Sequence, residues 1–304
     1  MARVTQPYHI PALLEETIEA LNIQPDGVYV DCTFGGGGHS RAILAKLGEG
    51  GRLYGFDQDE DARRNAPDDP RFTFVHGNFR HLLNFLRYHL KPTEDAEGGN
   101  RPTVNGILAD LGVSFHHFDT PERGFSFRFD GALDMRMNQQ SDLTAATIVN
   151  TYAEERIADI LYYYGEMRNA RTVARKIAEV RKAKPMERIS DLTEAVRLPK
   201  GDLPKLFQAL RIEVNGEMDV LEEFLGVAPT LLEEGGVLAV LSYHSLEDRM
   251  VKNAFKAKEA ASREERGALR YRASKMTAPK REETENNPRA RSAKLRSLCR
   301  ISNK

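Results

Sequence analysis

The 304-residue chain has only two cysteines, Cys32 and Cys299, far apart and in unrelated contexts. That scarcity excludes a disulfide framework and a thiolate zinc site, and it suits a reducing cytoplasm. No apolar run approaches the about 18 residues of a membrane helix. The opening MARVTQPYHIP lacks the apolar centre of a signal peptide, so a cytoplasmic protein without membrane contact is expected. The scattered histidines show no ligand spacing, so no metal is expected either. No Gly-Lys-Ser/Thr follows the chain's glycine run, which excludes a P-loop.

What the sequence does have is a glycine turn between a strand and a helix. Val28 to Cys32 reads as a short buried strand, with Asp31 near its end. Gly35 to Gly38 follow, and a helical run from Ser40 to Leu47 closes on Gly48. In this geometry a backbone approaches a ligand closely and free N–H groups face negative charge. A bare flexible turn is the competing reading. Asp57 weighs against it: it closes a second apolar run, Leu53 to Phe56, and lies 20 residues beyond Gly37. At that distance a second strand delivers a carboxylate to ribose hydroxyls. The dinucleotide fingerprint G-x-G-x-x-G fails in both frames, because Ser40 or Arg41 replaces its third glycine. A carboxylate at Asp31 would repel a pyrophosphate but attract an ammonium group. S-adenosylmethionine, whose amino acid end carries an ammonium and a carboxylate, fits such a site.

Further along, Leu13, Leu14, Thr17, Ile18 and Leu21 mark one face of a helix, which His9 precedes. By itself His9 reads as a capping or surface histidine. Phe72 to His76 is a third strand, after which Phe79 falls at the carboxyl edge of the sheet. There it could stack on adenine or pack in the core. Lys91 to Thr103 reads as a mobile surface loop, and Gly106 to Ala109 as a fourth strand ending at Asp110. Strands alternating with helices in this way describe an α/β, doubly wound, Rossmann-like sheet.

From Thr120 to about Asn215 the periodicity is helical only, which predicts an inserted helical domain. Methyltransferase-type residues 1–119 and 216–304 would flank this insert at 120–215, expected to recognise substrate. Thr151-x-x-Glu154 and Ser245-x-x-Asp248 read as capping boxes. The loop Glu122 to Phe129 mixes three phenylalanines with two arginines, which suits base stacking and phosphate pairing or packing between domains. Sheet topology resumes with a helix over Met218–Leu232 and a strand over Gly236–Leu241. Tyr243 and His244 then lie in a strand-to-helix turn. From Arg249 to Lys304 there are 17 Lys and Arg against 6 Asp and Glu, so the rest of the chain carries −12 against a total of −1. A basic end on an acidic body points to a polyanion, or to a solvated tail that is partly mobile after Ala257.

Nine blocks in order resemble the bacterial 16S ribosomal RNA (cytosine-N4) methyltransferase family, the small-subunit methyltransferases H. The early blocks are His9-x-Pro-x-Leu-Leu, Asp31-x-Thr-Phe-Gly-x-Gly-Gly-His-Ser40, Asp110-Leu-Gly-Val-Ser114, Arg123-Gly-Phe-Ser-Phe127 and Leu133-Asp-Met-Arg-Met137. The later ones are Tyr164-Gly-Glu166, Phe207-Gln-Ala-Leu-Arg-Ile212, Ser242-Tyr-His-Ser-Leu-Glu-Asp-Arg249 and Asn287-Pro-Arg-Ala-Arg-Ser292. The resemblance implies a Rossmann-like methyltransferase sheet interrupted by a helical domain and S-adenosylmethionine as donor. It implies as acceptor the N4 amine of a decoding-region cytosine in 16S ribosomal RNA, within a small-subunit particle, and it allows a homodimer. Carried over, the cofactor contacts fall on Gly37, Gly38, His39, Asp57, Phe79 and Asp110. A further contact falls on His117, where the family's glutamine is replaced.

Cytosine N4 is a poor nucleophile, because its lone pair is delocalised into the ring. Catalysis must align N4 with the sulfonium methyl and accept a hydrogen bond from the amine. Asp110 and Ser114 are the candidates for positioning, and His244 for proton acceptance. A methyltransferase of proteins or small molecules would share the cofactor turn without needing the basic end. A non-catalytic assembly factor would need that end, but not the turn with Asp57.

Overall fold

A computed structural model describes residues 11–91, 93–94, 100–113, 118–264 and 269–302. The chain divides into two compact units: residues up to Gly112 together with those from Val220 onward, and Val113–Asp219. The sequence reading sets these divisions after residues 119 and 215 instead.

The first unit is built on a seven-stranded sheet. Its strands are β1 (Val28–Asp31), β2 (Arg52–Asp57) and β3 (Phe72–His76), then, after a separate ribbon of β4 (Thr93–Glu94) and β5 (Asn100–Arg101), β6 (Val104–Asp110), β7 (Leu232–Ser242), β8 (Arg270–Ala273) and β9 (Lys294–Ile301). The order is β3-β2-β1-β6-β7-β9-β8. The first five of these pair in parallel, while β9 runs antiparallel to both β7 and β8. The central strands are continuous apolar runs, and Ile107, Leu108, Ala109, Leu238, Val240 and Leu241 are wholly buried. Such runs occur where a parallel sheet is covered on both faces. The strand order reverses at β1, whose neighbours are β2 and β6, so the carboxyl ends there open a ligand crevice.

The sequence misleads about the carboxyl-terminal stretch. The helix from Ser245 runs to Glu264, and β8 and β9 complete the main sheet, where mobility is the expectation. Three basic residues of the last strand are tied into the fold. Asp248 accepts from Lys294 (3.1 Å) and Arg296 (2.8 Å), and Arg300 donates to the Leu232 carbonyl (2.6 Å). Upstream of β9, Glu283 accepts from the Leu13 N–H (2.7 Å), where Leu13 is left-handed (φ 51). β7 also starts at Leu232, earlier than Gly236.

The second unit is helical as expected. Helices Ala145–Thr151, Glu154–Tyr163, Ala170–Val180, Ile189–Val196 and Leu203–Asn215 enclose a core that includes Ile157, Leu161, Val173, Ile177, Leu192 and Leu210. Thr151 ends one helix instead of capping the next: its hydroxyl donates to the Thr147 carbonyl (2.7 Å), and Ala153 stands at the N-cap. No helix among the described residues is long and apolar enough to cross a membrane.

Candidate active site

The glycine turn after β1 is strapped to its neighbours. Cys32 N–H donates to the Leu108 carbonyl (2.7 Å) and Phe34 N–H to the Phe56 carbonyl (2.8 Å). Gly35 (φ 49) and Gly37 (φ 72) are left-handed, a conformation in which a Cβ is strained. A Cβ on Gly37 would meet the Phe34 ring at 2.8 Å, and one on Gly38 would meet Pro11 at 2.3 Å. Arg41 donates to the Gly36 carbonyl, and Asn65 to the Gly35 carbonyl (3.0 Å). The helix that follows spans Gly38–Leu44, starting and ending earlier than the sequence suggests.

Three acids end the strands around this turn. Asp31 is buried, accepting from the Ser40 hydroxyl (2.6 Å) and the Thr33 N–H (3.1 Å). Its carboxylate, read from the sequence as the group that attracts an ammonium, thereby braces the turn from within. Asp57 is half-buried, accepting from Gly35 N–H (2.7 Å) and Asp59 N–H (2.9 Å). Burial pushes its carboxyl up to about 6, against those two hydrogen bonds. Asp110 donates its N–H to the Thr33 hydroxyl (2.6 Å) and accepts from the Tyr243 hydroxyl (2.7 Å). Its side chain stays 22% exposed, open to a ligand. Burial pushes its carboxyl up to about 7, despite the Tyr243 bond.

His39 Nδ1 lies 3.5 Å from Asp110, and its Nε2 is buried without a hydrogen bond. Burial pushes the imidazole down, favouring the neutral ring. Gly37, Gly38, His39, Asp57 and Asp110 thus gather at the carboxyl ends of β1, β2 and β6. Phe79 follows β3 in a single 3-10 turn, half-buried, its ring edge-on to Phe224 (5.0 Å). Ser114, His117 and His9 lie outside the described residues.

His244 forms the helix cap that the sequence reading assigns one residue later, to Ser245 and Asp248. Its Nδ1 accepts from the Glu247 N–H (3.4 Å), while the Glu247 carboxylate accepts from the N–H groups of Tyr243 (2.8 Å) and His244 (3.2 Å). Nε2 lies 3.0 Å from Glu247 but makes no hydrogen bond. The turn therefore occupies the one nitrogen that could accept a proton in that tautomer. Sequence reasoning missed Thr33 and Glu247, and it missed Tyr243 as a partner of Asp110. His244-x-x-Glu247 is a legible N-cap pattern, whereas the Tyr243–Asp110 bond spans 133 positions and has no local signal.

In the loop of three phenylalanines, Phe125 is only 5% exposed and belongs to the helical core, which removes it as a stacking surface. Arg123 is buried too, donating to the carbonyls of Arg136 and Met137 (3.0 Å each). Phe127 and Phe129 remain exposed.

Residues 6–301 match the model of the MraW methylase family. The chain is 54% identical to a ribosomal RNA small subunit methyltransferase H from Bacteroides thetaiotaomicron, with 95% of this chain and 96% of the relative covered. Identity to the protein of the same name from Flavobacterium johnsoniae is 47%, over 96% and 97% of the two chains. Among solved structures, a putative rRNA methylase from Clostridium thermocellum aligns with a TM-score of 0.42 and 12% identity, over 96% and 100% of the two chains.

Proposed function

We propose, from the premise that this chain belongs to the MraW methylase family, that it methylates the N4 amine of a decoding-region cytosine in 16S ribosomal RNA. S-adenosylmethionine is the donor, and the site's residues suit it. The left-handed glycines leave room against the backbone, half-buried Asp57 fits ribose hydroxyls, and His39 Nε2 is a buried polar atom without a partner. Phe79 supplies an aromatic edge for adenine. When bound, the donor supplies an electrophilic methyl group on a positively charged sulfur.

The chain's own residues must then hold the amine and take up its proton. Asp110 is the best placed, being partly exposed at the switch point with a carboxyl pushed up to about 7. An acceptor with a pKa near the working pH is the effective one in general base chemistry. Tyr243 fixes the carboxylate by donating to one of its oxygens (2.7 Å). His244 sets the turn that carries Tyr243, a positioning part that its bonds with Glu247 support. Ser114, next along the chain, is assigned to positioning from sequence. The observation that carries the proposal is the Tyr243–Asp110 pair beside the glycine turn.

The helical unit is the substrate-recognition part of this reading. A small-subunit particle as substrate, a homodimer and a cytoplasmic place of action belong to it as well. Mapping methylated cytosines in 16S RNA from cells lacking the protein tests it. One N4-methyl mark should vanish and return with the wild-type chain but not with Asp110→Ala; an unchanged methylation map would refute the proposal.

A further inference from the structure

Two neighbouring tyrosines stand out from the helical unit. Tyr162 and Tyr163, the last two residues of helix Glu154–Tyr163, are 58% and 63% exposed. Their rings meet edge to face, with centroids 5.2 Å apart, so the edge of one covers one face of the other and leaves the remaining ring faces for a partner.

The connection beyond them is held in shape. Met167 N–H donates to the Leu161 carbonyl (3.2 Å), and Gln208 Nε2 to the Tyr164 carbonyl (2.9 Å). A Cβ on Gly165 would come within 2.8 Å of the Leu161 and Lys205 carbonyl oxygens, so this turn tolerates little change. It delivers Arg168 and then, in helix Ala170–Val180, Arg171 and Arg175, all exposed. The short connection over 164–169 makes the two helices antiparallel neighbours, and Arg175 reaches Glu154 at the far end (3.8 Å). Arg171, one turn nearer the connection, is thereby brought toward the tyrosine end. Among the described residues neither Arg168 nor Arg171 makes an ion pair.

We infer that Tyr162, Tyr163, Arg168 and Arg171 form a docking platform for an unpaired segment of ribosomal RNA. Bases stack on the ring faces and the guanidinium groups meet phosphates. The inference rests on the ribosomal RNA reading above and adds the surface that engages the substrate. Charge complementarity favours this occupant, because two uncompensated cations beside open rings suit a polyanion. Two tyrosines offer at most about 150–250 Å² each, short of the about 800 Å² that each partner contributes to a stable protein interface.

The test uses the full chain, 16S ribosomal RNA and a single-stranded oligoribonucleotide, with Kd measured across a salt series. Tyr162→Ala with Tyr163→Ala should weaken binding by roughly 5–150-fold per ring and leave the salt slope unchanged. The paired Tyr→Phe changes should restore affinity, since stacking needs only the ring. Arg168→Ala with Arg171→Ala should flatten the logarithmic salt slope by about 1.4, at ~0.7 per single-strand phosphate contact. Affinity for S-adenosylhomocysteine and the melting temperature should stay at wild-type values in every variant. Unchanged RNA affinity in both alanine pairs, while the wild-type chain still methylates the RNA, overturns the platform alone. A change in oligomeric state with RNA affinity intact overturns it too, by assigning the surface to protein. Failure of the wild-type chain to methylate ribosomal RNA would instead strike the functional reading.

Discussion

Asp57 and Asp110 are alike in origin: burial at strand ends raises both carboxyls, to about 6 and about 7. A carboxyl whose pKa is raised by folding stabilises the fold fully below its unfolded value, near 4, and loses that contribution as pH rises through the folded value. The ligand-free protein should therefore lose stability between about pH 4 and pH 7, by at most about 1.4 kcal/mol per pH unit for each such group. His39, pushed down by burial, contributes with the opposite sign, so the test is a difference between denaturant melts. The stability of the wild type relative to Asp110→Asn should fall between about pH 4 and pH 7, and a difference flat across that window would contradict the assignment. Asp57 is tested by calorimetry. Asp57→Ala should weaken S-adenosylhomocysteine binding by about 1.5–3 kcal/mol, the scale of hydrogen bonds to a charged group. Unchanged affinity in a folded variant would remove Asp57 from the ribose.

At the scale of elements, the glycine turn and the His244 cap make opposite demands. Gly37 is left-handed (φ 72) with the Phe34 ring 2.8 Å from any Cβ, so Gly37→Ala should cost about 1–3 kcal/mol and weaken cofactor binding together with stability. His244→Ala should cost about 1 kcal/mol of stability through the lost cap while keeping most turnover at saturating cofactor. A fall in turnover of roughly 10²–10⁴-fold without loss of stability would make His244 the proton acceptor instead.

The elements also differ in how far their sequence announces them. β1, β2, β3 and β6 were legible because each is a short apolar run closed by an acid or a polar turn. β8 and β9 were hidden, because Arg270, Arg272, Lys294, Arg296 and Arg300 read as a solvated tail. Their charges are satisfied partly by Asp248 and the Leu232 carbonyl, partners 46 to 68 positions away. The misplaced cap at Ser245 came from two overlapping patterns one residue apart, which spacing alone does not separate. Gly37, His39, Asp57 and Asp110 were readable as a site. That the acids rest on one another's turns, Asp57 on Gly35 and Asp110 on Thr33, required the register of the sheet.

Over the whole molecule, an acidic body carries a basic end of which only part stays at the surface. Arg289 and Arg291 remain exposed on either side of buried Ala290, whereas Arg296 is held by Asp248 of the helix from Ser245. Replacing both exposed arginines with alanine should lower affinity for 16S RNA and flatten its salt dependence, with S-adenosylhomocysteine binding intact. Loss of cofactor binding would mean instead that they support the sheet.

The most direct measurement is methyl transfer by the purified chain. Small-subunit particles or 16S RNA lacking the mark would be incubated with labelled S-adenosylmethionine, digested to nucleosides and read by mass spectrometry. Label should appear as N4-methylcytidine at one position, with Asp110→Ala reducing the rate while S-adenosylhomocysteine still binds. Label on another base, or no transfer by a chain that binds the cofactor, would contradict it.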